Sequence, residues 1–287
     1  MLRTIRTNPG IGDSCFLFQK LIHAKERFNF QIHNGPPQRG KQIFDLLPQI
    51  AASCEYVPGL PYSVVGPRNI QRTKKYWRLI QEQEFFLSAN QHLEEGNRIE
   101  TFLPDLPTSY SLPFQTAEWE EVVKTDFPGG PYIGIYASAY STARAWGFWG
   151  STGWFDLIWE MHQYIPGATF VQIGADWDIG VADEIRALMV ADHVPFISTI
   201  GKPLGYVIEM MKRLAYGFYF PSGLGILSGL LARPSVMFYP EKSLPRLPRT
   251  WCDPELIGSS TFKECFFCTP KQIADWVKEV YQLKSKL

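Results

Sequence analysis

From residue 131 onward, short apolar runs alternate with longer amphipathic ones. Residues 131–138 (PYIGIYAS), 169–174 (TFVQIG), 195–200, 216–220 and 234–239 (PSVMFY) are brief and rich in β-branched or aromatic side chains. That is the pattern of strands buried on both faces. Between them, residues 154–164, 183–191, 206–214 and 223–231 carry helix signals. Strands and helices alternating at this spacing predict a parallel sheet covered by helices on both sides.

The first half is less regular. Residues 2–7 read as a strand, followed by a Gly turn and a helix from about 13 to 24, and 27–33 read as a second strand. Residues 71–82 and 88–102 read as helices. The stretch 126–131 (DFPGGP) is dense in Pro and Gly and reads as a linker. It predicts two domains, 1–128 and 129–268, with a C-terminal helix over 269–287 expected to pack back toward the first. That helix has Thr269 as N-cap, Pro270 in its first turn, and Ile273, Trp276, Val277, Val280 and Tyr281 along one face.

With 287 residues, the chain suits one large domain or two small ones. A composition 45% hydrophobic and 20% charged excludes disorder, and nine Trp, thirteen Tyr and twenty Phe supply core volume and stacking surfaces for rings. No apolar run reaches the roughly 18 residues of a spanning helix, and the first residues are too charged for a signal peptide, so a cytoplasmic protein is expected. Five Cys, an odd number, argue against a full disulfide framework. Cys265 and Cys268 form a C-x-x-C pair with only Cys252 near it in sequence, too few ligands for structural zinc. Ordinary thiols are expected, and no metal.

Formal net charge is zero but unevenly spread. Residues 1–80 hold twelve Lys and Arg against four Asp and Glu, and residues 81–128 hold two against ten. This admits two readings. The basic segment offers a surface to an acidic partner such as phosphate, or the two segments neutralise each other in the fold.

Four segments carry candidate chemistry. Residues 8–13 (NPGIGD) lie between a predicted strand and helix, where glycines let backbone N–H groups approach a ligand and the helix start favours negative charge. Asp13 there is either a general base or a helix cap, and spacing alone favours the cap. Residues 221–225 (PSGLG) form a second such turn, suited to a diphosphate but lacking the Lys-Ser/Thr ending of a P-loop. Residues 138–154 offer small hydroxyls, including Ser138, with Arg144 for a phosphate, while Trp146 and Trp149 read as packing residues. Residues 174–178 (GADWD) place Asp176 and Asp178 at a strand end, where a carboxylate bonds a ribose hydroxyl or caps the next helix.

Together these segments resemble the heptosyltransferase-like glycosyltransferases of the ADP-heptose:lipopolysaccharide heptosyltransferase type. The resemblance implies an α/β fold of two Rossmann-like domains facing across a cleft (GT-B). The family's Gly-x-Gly-Asp-like motif is similar to Gly10-Ile-Gly-Asp13, which implies that Asp13 is the catalytic base, with Gly12 beside the acceptor. By the same resemblance Ser138, Arg144, Asp176, Asp178, Ser222, Gly223, Leu224 and Gly225 bind the donor. The chain departs from the family where its Asp and His of the donor turn are Pro221 and Ile226, while Ser222, Gly223 and Leu227 carry over.

The implied activity is metal-independent, inverting transfer of a sugar from a nucleoside-diphosphate sugar to a hydroxyl, with no further cofactor. The acceptor is a lipopolysaccharide-like glycan or a hydroxymethylated DNA base, as in phage-type relatives. Candidate acceptor contacts are Arg72, Lys75 and Trp77 in the basic stretch 67–78, and His92 and Glu95 in 90–97. Both stretches also read as solvated helix faces. The alternative function is a non-catalytic nucleotide- or sugar-binding protein of the same fold. A dinucleotide-dependent oxidoreductase is disfavoured, because the full Gly fingerprint and its acidic ribose partner are absent.

Overall fold

The computed structural model describes residues 2–33, 38–57, 85–87, 89–94, 96–137, 149–220, 222–239, 248–257, 262–266 and 268–284. The chain divides into two compact units. Unit 1 comprises Met1–Ala117 and Arg246–Asp253, and unit 2 comprises Glu118–Pro245 and Pro254–Leu287.

Unit 1 runs β1 (Thr4–Thr7), α1 (Ile11–Leu21), β2 (Phe28–His33), a 3₁₀ turn (Gln38–Lys41), α2 (Gln42–Asp45), β3 (Ala51–Val57), β4 (Phe85–Phe86) and α3 (Ala89–Glu94). Its sheet is parallel throughout, in the order β3-β2-β1-β4. One face is apolar. Ile5, Phe28, Phe30 and Ile32 are fully buried, and Phe18 of α1 and Phe44 of α2 close on Phe30 at 5.9 and 4.8 Å between ring centroids. The other face carries Arg6, Gln31 and Glu55, which are in register across three strands. Arg6 Nε donates to Gln31 Oε1 (2.9 Å), and Gln31 Nε2 donates to Glu55 Oε1 (2.7 Å). This ladder explains why β1 and β2 alternate in polarity, whereas parallel strands covered on both sides run continuously apolar.

Unit 2 runs α4 (Ala117–Asp126), β5 (Tyr132–Tyr136), α5 (Gly150–Tyr164), β6 (Thr169–Gln172), α6 (Ile179–Ala191), β7 (Phe196–Ser198), α7 (Leu204–Met211), β8 (Tyr216–Tyr219), α8 (Gly223–Leu230), β9 (Ser235–Tyr239), α9 (Pro248–Trp251), β10 (Phe262–Phe266) and α10 (Pro270–Lys284), although α9 itself packs in unit 1. The sheet is parallel in the order β10-β9-β8-β5-β6-β7. The five strands and four helices expected here are all present, and β10 extends the edge. Trp149 is a packing residue. Its ring lies 5.2 Å from Trp154 and 4.9 Å from Phe238.

Two expectations are corrected. The stretch 126–131 is no linker: Phe127 is buried against Tyr132, and Tyr206 Oη donates to Asp126 Oδ2 at 2.7 Å, so α4 and this stretch belong with β5 in unit 2. Residues 88–102 are not one helix. Within them α3 ends at Glu94, Gly96 turns the chain at φ +81°, and a 3₁₀ turn comes next at Ile99–Thr101. The expected helix over 71–82 lies outside the described residues.

The C-terminal helix is grouped with unit 2. α10 starts as expected, with Thr269 Oγ1 accepting from Gln272 N (3.2 Å) and Gln272 Oε1 accepting from Thr269 N (2.8 Å), a capping box. Its apolar stripe has Ile273, Ala274 and Val277 buried. It covers α5, where Tyr164 Oη donates to Lys278 O at 3.2 Å and Lys278 pairs with Glu160. The segment that does belong to unit 1 is α9. Trp251, 1% exposed, packs on Phe16 of α1, and Gln19 Nε2 donates to Trp251 O at 3.0 Å.

Candidate functional site

In each unit one strand marks the point where the strand order reverses. In unit 1 it is β1, with β2 on one side and β4 on the other. In unit 2 it is β5, between β6 and β8. Open parallel sheets bind ligands beyond the C-terminal ends of strands at such points, because the connecting segments leave in opposite directions there. Both Gly turns singled out in the sequence sit at these reversals.

Beyond β1 the chain passes through Asn8, Pro9 and Gly10 into α1. Gly10 occupies the N-cap position in extended backbone, and its carbonyl accepts from Ser14 N at 3.0 Å. Asp13 therefore stands inside the first turn rather than at the cap. Its carboxylate folds back over the helix start: a Cβ placed on Gly10 would lie 2.5 Å from Asp13 Oδ2. The N–H dipoles of that turn favour a negative group there. Asp13 is half-buried, Gly12 is buried beside it, and Cys15 is fully buried beneath, its thiol pushed up by burial and then by the Asp13 charge.

Beyond β8, Phe220 N donates to Tyr136 O at 2.8 Å, which ties the ends of β8 and β5 together. Ser222 is the N-cap of α8, its Oγ accepting from Gly225 N at 3.2 Å. Gly223 and Leu224 take the first two helical positions, where N–H groups have no partner within the helix. Gly225 is buried, and a side chain there would collide with the Met237 methyl and press on Tyr219. Gly225, expected as a donor contact, gives its N–H to Ser222 Oγ, and its missing side chain lets α8 settle on β8 and β9.

Asp178, a second expected donor contact, is 3% exposed, and its Oδ2 accepts from Ala175 N at 2.8 Å, so it closes its own turn. Asp176, in the same turn, is exposed. A shallow recess beside this turn is lined by Tyr136, Ala137, Gln172, Asp178 and Val181. His92, expected as an acceptor contact or as a lone His on a solvated helix face, is 6% exposed, which rules out the solvated face. Its Nε2 lies 2.8 Å from Thr101 Oγ1, and its ring faces Phe102 at 5.7 Å. It fastens the 98–102 turn. Ser138, Arg144, Arg72, Lys75, Trp77 and Glu95 lie outside the described residues.

The described residues contain no group of His, Cys, Asp and Glu able to hold a metal ion. Cys15, Cys54 and Cys252 are buried free thiols. No helix among the described residues is long and apolar enough to cross a membrane. Sequence reasoning passed over Gly40, which touches the Asp13 turn. Its only signal was its place in the Gly- and Pro-rich stretch 35–40 (GPPQRG).

No family model and no curated protein matches the sequence. Solved structures do match the fold. ADP-heptose lipopolysaccharide heptosyltransferase II of E. coli superposes with a TM-score of 0.63 at 14% identity, covering 99% of this chain and 100% of that one. A family 9 glycosyl transferase from Veillonella parvula gives 0.64 at 10% identity, with 97% of each chain covered. Anabaena HepE, in complex with UDP and glucose, gives 0.52 at 11% identity, with 99% and 91% covered. The chain thus has the α/β, GT-B-type fold of these glycosyltransferases over essentially its whole length.

Proposed function

We propose that this protein is a glycosyltransferase that moves a sugar from a nucleoside-diphosphate sugar to a hydroxyl acceptor. One observation carries the reading. A carboxylate, Asp13, sits in the Gly turn at the strand reversal of unit 1, while a capped helix start, whose first N–H groups have no partner within the helix, sits at the strand reversal of unit 2. The first suits a general base, the second an anion.

In this reading Asp13 takes the proton of the acceptor hydroxyl as its oxygen attacks the anomeric carbon. The bond to the diphosphate breaks from the opposite side, which inverts the centre. The N–H groups of Gly223 and Leu224, the Ser222 hydroxyl and Arg144 meet the charge on the leaving diphosphate, and the reaction proceeds without a metal. The fold relatives support a nucleotide-sugar donor of either base type, since one is named for ADP-heptose and another is bound to UDP and glucose. The lipopolysaccharide acceptor in the first relative's name supports a glycan acceptor here.

A thermal-shift panel of ADP, UDP, GDP and their sugars tests the donor. A true ligand at 100 times its dissociation constant adds about 2.7 kcal/mol of stability. The matched donor is then assayed with glycan and with hydroxymethylated-DNA acceptors. Full turnover by a folded Asp13→Asn protein removes the base assignment. Donor binding with neither transfer nor hydrolysis supports the non-catalytic alternative.

A further inference from the structure

Gly40 lies in the 3₁₀ turn Gln38–Lys41, between β2 and α2, remote in sequence from the Asp13 motif. Its backbone abuts the Pro9 peptide. A Cβ built on Gly40 would be driven into the Pro9 carbonyl oxygen, with the carbonyl carbon 2.8 Å away and Pro9 Cα 3.3 Å away. The obstacle is backbone, so no side-chain rotation relieves it. Gly40 does not adopt a left-handed conformation, so the need for glycine is one of space alone. The next residue is held separately. Lys41 N donates to Tyr56 Oη at 3.3 Å, which fixes the 3₁₀ turn against β3 and leaves it little freedom to retreat.

The contact leads directly to the carboxylate. Pro9 precedes Gly10, the N-cap of α1, and Asp13 Oδ2 rests directly over Gly10. A displaced Pro9–Gly10 peptide therefore displaces the surface on which the Asp13 carboxylate lies. We infer that Gly40 is a positioning residue for Asp13: its missing side chain lets the 3₁₀ turn serve as a backstop that fixes the Pro9–Gly10 peptide and, through it, the carboxylate. The inference rests on the reading of Asp13 as general base.

The test is a double-mutant cycle of Gly40→Ala and Asp13→Asn, with kcat and donor KM measured in the transfer assay and folding checked by thermal melting. A misplacement of about 1 Å at a reacting group lowers turnover about 100-fold. Gly40→Ala is expected to lower kcat by about that factor with donor KM unchanged, because the donor turn lies in unit 2. In the Asp13→Asn background the same change is expected to lower kcat no further, since its target is gone. A general loosening of unit 1 would instead lower kcat by the same factor in both backgrounds. A folded Gly40→Ala protein with normal kcat, or equal losses in both backgrounds, overturns the inference while leaving Asp13 as base. Full activity of Asp13→Asn alone overturns the functional reading itself. Where Gly40→Ala does not fold, Gly10→Ala decides. The atoms nearest its methyl belong to the Asp13 side chain, so a folded protein with reduced kcat supports the chain of contacts, and one with normal kcat overturns it.

Discussion

The indole of Trp251 stands 5.9 Å from the ring of Phe16, although the two residues come from opposite ends of the chain. Phe16 is three residues past Asp13 on α1, so a short helix that lies between β9 and β10 in the chain helps hold the helix that carries the candidate base. Gln19 Nε2 to Trp251 O (3.0 Å) and Arg98 Nη2 to Cys252 O (3.4 Å) secure the same segment.

Trp251→Ala removes one of the largest fully buried side chains. Truncating a buried Trp destabilises by about 3–5 kcal/mol. The loss is expected in unit 1. Hydrogen exchange measured by mass spectrometry is expected to show α1 amides exchanging faster while those of β5 and β6 keep their protection. Unchanged protection across α1 would show that α9 contributes nothing to its stability.

Lys20 gives a pH-dependent prediction. Its Nζ is buried and donates to Glu100 O (3.2 Å), Leu106 O (2.8 Å) and Thr108 Oγ1 (2.9 Å), which pins the 100–108 segment to α1. Burial pushes its ammonium down to about 8 from 10.5, against the opposing pull of Glu100. The folded state thus binds this proton less readily than the unfolded chain. Stability rises with pH through the window from about 8 to 10.5, and below it the full penalty of charging Lys20 is present. Denaturant titrations at each end of that window are expected to show a gain in the wild type that Lys20→Met lacks. At neutral pH Lys20→Met is expected to lose about 1–3 kcal/mol, because three acceptors are orphaned. Equal pH slopes for the two proteins would rule out Lys20 as the source.

The architecture of unit 2 was legible because its strands are buried on both faces, and a continuous apolar run of four to six residues has few other uses. β3 escaped notice because Ser53 and Glu55, exposed on an edge strand, keep its apolar residues from forming the continuous run that marked the strands of unit 2. β4 is two residues long, too short for any periodicity. α4 buries Val123 and leaves Glu118, Glu120, Glu121 and Lys124 exposed, so it has no stripe to read. At the site, turns announced themselves through glycine, but the direction of a side chain did not. Asp13 and Asp178 both come after a Gly at a strand end, yet one is half-exposed over a helix start and the other is sealed in its own turn. Gly40 was illegible because its partner, Pro9, is distant in sequence and the contact is between backbones.

His92 offers a test between a structural and an acceptor-binding role. Its imidazole is buried, and its Nε2 bonds Thr101 Oγ1 at 2.8 Å. His92→Ala leaves that hydroxyl and a cavity, with an expected loss of about 2–3 kcal/mol. Acceptor KM, measured below the melting transition, is expected to stay at the wild-type value. A raised acceptor KM in a stable variant would return His92 to the acceptor site.

Ser222 tests capping and anion binding separately. Its Oγ satisfies Gly225 N at 3.2 Å, so Ser222→Ala is expected to lower stability by about 1 kcal/mol, the usual loss for an N-cap. Asp is as good a cap as Ser, and its charge favours a helix N-terminus, so Ser222→Asp is expected to keep or raise the melting temperature. The same charge repels a diphosphate at the Gly223 and Leu224 amides. If those amides hold the donor, Ser222→Asp weakens donor binding by at least about tenfold while the protein is no less stable, an opposition that general damage to the fold cannot produce. Isothermal titration with the nucleotide found in the thermal-shift panel reads one quantity, and a melting curve reads the other. Wild-type donor affinity in a stable Ser222→Asp protein would mean that the start of α8 is only a well-made turn, and that the diphosphate is held elsewhere.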